Sequence, residues 1–108
     1  MALVFTPTFM DGKNSVSDSA DTLYTVPADT QALVKSIIFG NATGSDATIT
    51  LACATIVILT AKNVPANDSI TVEFPGHGLP LAATETIIAT AGTASAINSI
   101  IYGAARAV

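Results

Sequence analysis

Charged residues are scarce in this sequence. They make up 11% of the 108 residues, against about 25% in an average soluble domain. The four cations, Lys13, Lys35, Lys62 and Arg106, stand far apart in the chain, whereas nucleic-acid binding needs clustered cations that neutralise phosphates. We therefore expect no direct binding of DNA or RNA.

Cysteine and histidine occur once each, as Cys53 and His77, and tryptophan is absent. A lone cysteine forms no disulfide within its chain, and we expect a buried, inert thiol. A metal centre needs several His, Cys or carboxylate ligands, and no G-x-S-x-G nucleophile elbow is present. We predict no catalytic residue, no metal and no cofactor, and interpret His77, between Gly76 and Gly78, as a turn residue.

Long hydrophobic runs are also missing. The longest, residues 49–61, is rich in threonine and shorter than the roughly 20 residues of a membrane-spanning helix. The N-terminal MALVFTPTFMDGK lacks the features of a signal peptide. Neither insertion into a membrane nor export is expected.

Valine, isoleucine and threonine are abundant in the sequence, and no window shows sustained helical spacing. Turn signals recur every 8 to 12 residues. The sequence predicts a single all-β domain over residues 1–108, a jelly-roll-like antiparallel β-sandwich of about eight strands, with residues 1–20 as a candidate N-terminal arm and loop. Because 50% of the residues are apolar, we expect other chains to cover part of the surface; the alternative is an exposed surface kept soluble by hydroxyl groups.

The predicted strands follow local alternation and turn residues. Pro7 restricts the first strand to an edge or an arm, and one strand across residues 47–60 would be too long, so a turn is expected near residues 54–55. Between residues 32 and 40, Leu33, Ile37 and Phe39 are expected on one face and Val34 and Ile38 on the other. The predicted strands are Ala2–Phe9, Leu23–Val26, Ala32–Gly40, Ala47–Cys53, Ile56–Thr60, Ser69–Phe74, Thr84–Ala91 and Ala96–Tyr102, with loops at Met10–Ala20, Asn41–Asp46 and Pro75–Pro80. Most aromatic side chains are expected in the core.

The order of these motifs resembles that of small β-sandwich structural proteins of tailed bacteriophages. It is carried by TLYTVPADTQALVKSIIFGN, ATITLAC, VPANDSITVEF, GLPLAATETIIATA and INSIIYG, over about residues 22–103. LYTVPA followed by VKSI is its most distinctive part. The sequence departs from the pattern at Asp29, where a glycine is common, and at Ala83-Thr84-Glu85, which replaces a Gly-Asp turn.

Within that group, a chain without appended domains is most similar to capsid cement, or decoration, proteins. The resemblance implies a non-enzymatic trimer on the outer capsid surface of the virion, bound between major capsid proteins. We expect Leu3, Phe5 and Phe9 in the arm to contribute to contacts between subunits; the alternative is an ordinary edge strand. A rival hypothesis is a tail or fibre module that binds a host receptor or glycan through the Asn41–Asp46 and Pro75–Pro80 loops.

Overall fold

The computed structural model describes residues 6–13, 15–76 and 78–107. These residues form nine β-strands in two antiparallel sheets, which confirms the all-β sandwich. The described part contains no helix, and so none that could cross a membrane. The strands are β1 (Thr6–Lys13), β2 (Asp21–Thr25), β3 (Thr30–Asn41), β4 (Ala47–Cys53), β5 (Ile56–Val64), β6 (Asp68–Glu73), β7 (Leu79–Leu81), β8 (Thr86–Ala91) and β9 (Ile97–Ala107).

The strand pairs are nested within one another along the chain. β4 pairs with β5, β3 with β6, β2 with β8, and β1 with β9. Two further pairs, β3–β9 and β4–β8, join these nested pairs into two sheets. The resulting sheets, β1-β9-β3-β6 and β2-β8-β4-β5, have the connectivity of a jelly roll.

The core lies between the sheets and consists of alternate side chains from both. β4 shows this most clearly, because Ala47, Ile49, Leu51 and Cys53 are all buried, as its alternating sequence predicts. The largest fully buried side chains are Phe39, Ile37, Ile49, Leu51, Leu81, Ile87, Ile97, Ile101, Val16, Val26, Val34 and Val64.

A bulge in β3 changes which of its residues face the core. Val34 pairs with Gly103, but the next pair is Ser36 with Tyr102, so Lys35 is an extra residue. The bulge places Val34 in the core with Ile37 and leaves Leu33 half-buried, so the face predicted for Leu33 and Val34 is wrong. A Cβ atom on Gly103 would overlap the Leu33 carbonyl oxygen, so the bulge requires glycine opposite it.

Two predicted loops are partly strands. β1 continues through Asp11-Gly12 to Lys13 around a bulge between Phe9 and Asp11, because its pairing with β9 overrides the local turn signal. β7, of whose three residues Leu79 and Pro80 belong to the predicted Pro75–Pro80 loop, pairs with the first part of β3. Pro80 is tolerated there because β7 is only three residues long and lies at the sheet's edge.

The sandwich has two distinct ends. One, here called the hairpin end, contains the turns at residues 26–29, 54–55 and 82–85, joined by backbone hydrogen bonds from Val26 to Glu85 (2.9 Å) and from Ala54 to Thr86 (2.8 Å). The other, here called the asparagine end, contains residues 15–20, 41–46, 65–67 and 92–96, where the Asn67 amide donates to the Thr43 carbonyl (3.0 Å).

Candidate interaction surfaces

The first exposed apolar surface is the start of β5, at the hairpin end. Ile56, Val57 and Ile58 are 66%, 57% and 41% exposed, and we call these three residues the β5 rim. β5 is the last strand of its sheet among the described residues. Two bulges in its pairing with β4, at Ile58 and near Ala61, break the alternation that would turn every second side chain inward.

The turn before the β5 rim has an unusual composition. Cys53 pairs with Ile56, so Ala54 and Thr55 form a two-residue hairpin loop in which both have positive φ, 50° and 65°. Such loops favour Asn-Gly, and a β-branched residue at positive φ is an outlier. Alanine and threonine therefore occupy a turn that would be less strained with Asn-Gly.

The second apolar surface lies on the outer face of the other sheet. Ile100 and Tyr102, both on β9, are 44% and 43% exposed. Ile38 on β3 is half-buried and pairs with Ile100. We call these three residues the β9 face. The exposed Tyr102 departs from the expectation that most aromatic side chains lie in the core, whereas Phe39 meets it.

The interaction residues predicted from the sequence are only partly covered by the structure. Leu3 and Phe5 lie outside the described residues. The backbone of Phe9 belongs to β1, an edge strand as Pro7 predicts, and pairs with Tyr102 next to the β9 face. Sequence reasoning missed the β5 rim, although the run of residues 47–61 without a charged residue was a usable signal.

A polar groove occupies the asparagine end. It is open to solvent, has a volume of about 380 Å³, and is lined by Gly40, Asn41, Ala42, Asn67, Asp68 and Asn98. Only the first residues of the Asn41–Asp46 loop reach it, and His77 of the other predicted glycan-binding loop lies outside the described residues. The lining offers amide and carboxylate oxygen atoms, but no aromatic side chain on which a sugar ring could stack.

The chemistry of the described residues is sparse. No group of three or more His, Cys, Asp or Glu side chains within them is arranged to hold a metal ion. Cys53 is buried, as expected, and burial raises the pKa of its thiol from 9.0 to about 11. A thiol held protonated in this way is a poor nucleophile near neutral pH.

No family model matches the chain, and no curated protein matches it either.

Proposed function

We propose that this protein is a non-enzymatic capsid cement protein of a tailed bacteriophage, trimeric and bound on the outer capsid surface between major capsid subunits. The observation that carries the proposal is the pair of exposed apolar surfaces, the β5 rim on one sheet and the β9 face on the other. A subunit that joins copies of itself and also binds a shell needs two such surfaces.

The low charge content supports the same role. Apolar surface removed from water stabilises an assembly by about 25 cal/mol per Å² before ordering costs. A trimer that makes three contacts at once binds far more tightly than one copy, because the second and third contacts are intramolecular. Two modest apolar surfaces on each subunit are therefore enough for a trimer to bind the shell tightly.

The departures from the phage pattern also fit this backbone. Asp29 and Thr84 stand where the pattern has glycine, and both have positive φ, 56° and 71°. Glycine adopts that conformation most easily, so the fold asks for glycine at the two positions where the pattern has it. The jelly-roll connectivity adds to this support.

The test uses phage particles that lack this protein. Purified protein should co-sediment with them, and Ile100→Thr/Tyr102→Ser should weaken that binding by about 10- to 50-fold, because two partly exposed side chains contribute about 2 kcal/mol when covered. Thr93→Ser, which alters an exposed residue of the turn at residues 92–96, is the matched control and should bind normally. The proposal fails if wild-type protein stays in the supernatant at concentrations at which it is trimeric.

The polar groove gives a second candidate function, a tail or fibre module that binds a host glycan. Asp68 and Asn98 in its lining could accept hydrogen bonds from sugar hydroxyl groups. This function predicts saturable binding on a glycan array that is abolished by Asn98→Ala and Asp68→Ala, with the protein located in the tail. Binding to capsids without any glycan signal would exclude it.

A further inference from the structure

The sandwich has two lateral sides, each bordered by two edge strands. β1 and β2 lie together on one side, and β5 and β6 lie together on the other. No strand among the described residues pairs with the outer edge of β5 or of β6. Four apolar side chains on this second side pack against the core but are only half-buried, namely Leu59, Ile70, Val72 and Phe74. The side formed by β5 and β6 therefore combines two unpaired edges with a partly uncovered core.

The edges of β5 and β6 carry charges of opposite sign. β5 contains one charged residue, the cation Lys62, and β6 contains two, the anions Asp68 and Glu73. All three are exposed. Pairing of β5 with β5 of another copy would join two positive edges, and pairing of β6 with β6 would join two negative ones, whereas opposite charges stabilise neighbouring strands. Of these three combinations, only β5 with β6 is complementary.

The directions of the two strands favour the same combination. β5 begins after the turn at residues 54–55 at the hairpin end, and β6 begins after the turn at residues 65–67 at the asparagine end. They therefore run in opposite directions. In a ring whose rotation axis lies along the strands, every copy keeps these directions, so β5 of one copy is antiparallel to β6 of the next. Antiparallel pairs are the commoner kind in sheets.

The position of the two edges suits a small ring. Both lie on one side of the subunit, so that side can face a rotation axis and contact a neighbour through each edge. Pairing of β5 with β2 of the next copy would instead use opposite sides of the subunit. Contacts through opposite sides continue as an open chain and do not close into a ring of three.

We propose that the β5 rim of one copy pairs antiparallel with residues 71–73 of β6 in the next copy, in a ring of three. The backbone of β6 supplies the strand that the edge of β5 lacks, which is a common mode of recognition at a sheet edge. Ile58 lies four residues before Lys62, and Val72 lies four residues after Asp68. A ladder with Ile58 opposite Val72 therefore also brings Lys62 to Asp68.

This ring covers what the isolated subunit leaves exposed. The three apolar side chains of the β5 rim lie against the neighbour, and the half-buried side chains between β5 and β6 face the rotation axis, where the other two copies enclose them. The proposal rests on the trimer of the proposed function and names the contact that holds it together.

Disulfide trapping tests the contact. In a Cys53→Ala background, Val57→Cys/Glu73→Cys should form covalent dimers and trimers under mild oxidation, seen on non-reducing gels. Within one copy the two positions lie on the outer faces of different sheets, and packed sheets are about 10 Å apart, so the disulfide joins two copies. Each single variant should stay monomeric on the same gel. Val57→Cys/Thr22→Cys, with its second thiol at an exposed position of β2, is the matched control and should also stay monomeric.

Charge reversal tests the same contact without a cross-link. Lys62→Asp and Asp68→Lys should each raise the concentration at which the trimer dissociates by about 10-fold at low salt, because three contacts each exchange an ion pair for a like-charge pair. Lys62→Asp/Asp68→Lys should restore the wild-type value. Asp18→Lys, which makes the same charge change at an exposed residue outside β5 and β6, is the control and should leave it unchanged. Light scattering over a dilution series measures all four.

Several outcomes would overturn the proposal. Dimers from Val57→Cys alone would show that β5 pairs with β5, and a cross-link to Thr22→Cys would show that it pairs with β2. A trimer by light scattering that gives no link between the Val57→Cys and Glu73→Cys positions, or a double charge reversal weaker than either single one, would refute this contact while leaving the cement function intact. The cement function is tested separately by co-sedimentation with capsids.

Discussion

The turns at the two ends of the sandwich are built in different ways. At the asparagine end, polar side chains satisfy the backbone of the loops. The buried Asn41 donates from Nδ2 to the carbonyl oxygens of Ser45 (2.8 Å) and Val64 (3.0 Å), and its Oδ1 accepts from the amide (2.9 Å) and hydroxyl (2.6 Å) of Thr43. At the hairpin end, residues 54–55 turn in a left-handed conformation and expose the β5 rim.

This difference indicates which end would gain more from a partner of the kind that we propose. All buried polar side-chain atoms of the described residues have hydrogen-bond partners, and Asn41 accounts for four of those bonds. Four non-glycine residues in the turns of the hairpin end have positive φ, against Asn67 and Ser95 at the asparagine end, and the hairpin end also has three exposed apolar residues. Strain and exposed apolar surface both cost free energy in an isolated subunit, so the hairpin end gains more from a partner.

The largest expected effect comes from breaking the asparagine end. Asn41→Ala removes four hydrogen bonds and leaves the Val64 carbonyl buried without its side-chain donor. We expect the free energy of unfolding to fall by about 3 kcal/mol, since each unsatisfied buried group costs about 1–3 kcal/mol. Urea denaturation at fixed protein concentration measures this fall in the free energy of unfolding. Asn98→Ala, an exposed residue at the same end, should change stability by less than about 0.5 kcal/mol.

A pH titration tests whether the Cys53 thiol is buried although the β5 rim, three residues later, is exposed. Cys53 is 4% exposed, yet Ile56, three residues later, is 66% exposed. The folded state keeps the thiol protonated up to a pKa of about 11, whereas the unfolded chain loses that proton near 9.0. The unfolded state therefore binds fewer protons between these values, and stability falls as the pH rises through that window.

The size of this loss follows from the shift. It should reach about 2 to 3 kcal/mol by pH 11, at about 1.36 kcal/mol per pKa unit. The measurement is the difference in urea midpoint between wild type and Cys53→Ala from pH 8 to 11, because every group other than Cys53 is common to both proteins. Parallel curves for the two proteins would contradict a buried, protonated thiol.

The same contrast explains what could be predicted from the sequence. Strict alternation identified β4 and its buried face, and the limit on strand length identified the turn at residues 54–55. The bulges at Lys35 and in β5 shift the register of strand pairing, and the amino-acid composition gives no sign of them. Exposure of Tyr102 and of the β5 rim depends on which strands lie at an edge and which face lacks a covering layer, and these are properties of the whole fold.

The smallest expected effect comes from relaxing the hairpin turn. Ala54→Asn/Thr55→Gly supplies the pair that a loop with two positive φ values prefers, and should stabilise the protein by about 1 kcal/mol. Urea denaturation measures the gain. Thr60→Gly, in β5 outside the residues with positive φ, should instead destabilise it, because glycine weakens a strand interior. A gain from the turn variant would show that the natural sequence keeps strain at this end that an isolated subunit does not need. No gain would mean that the turn is relaxed as it stands, leaving the exposed rim alone to distinguish the two ends.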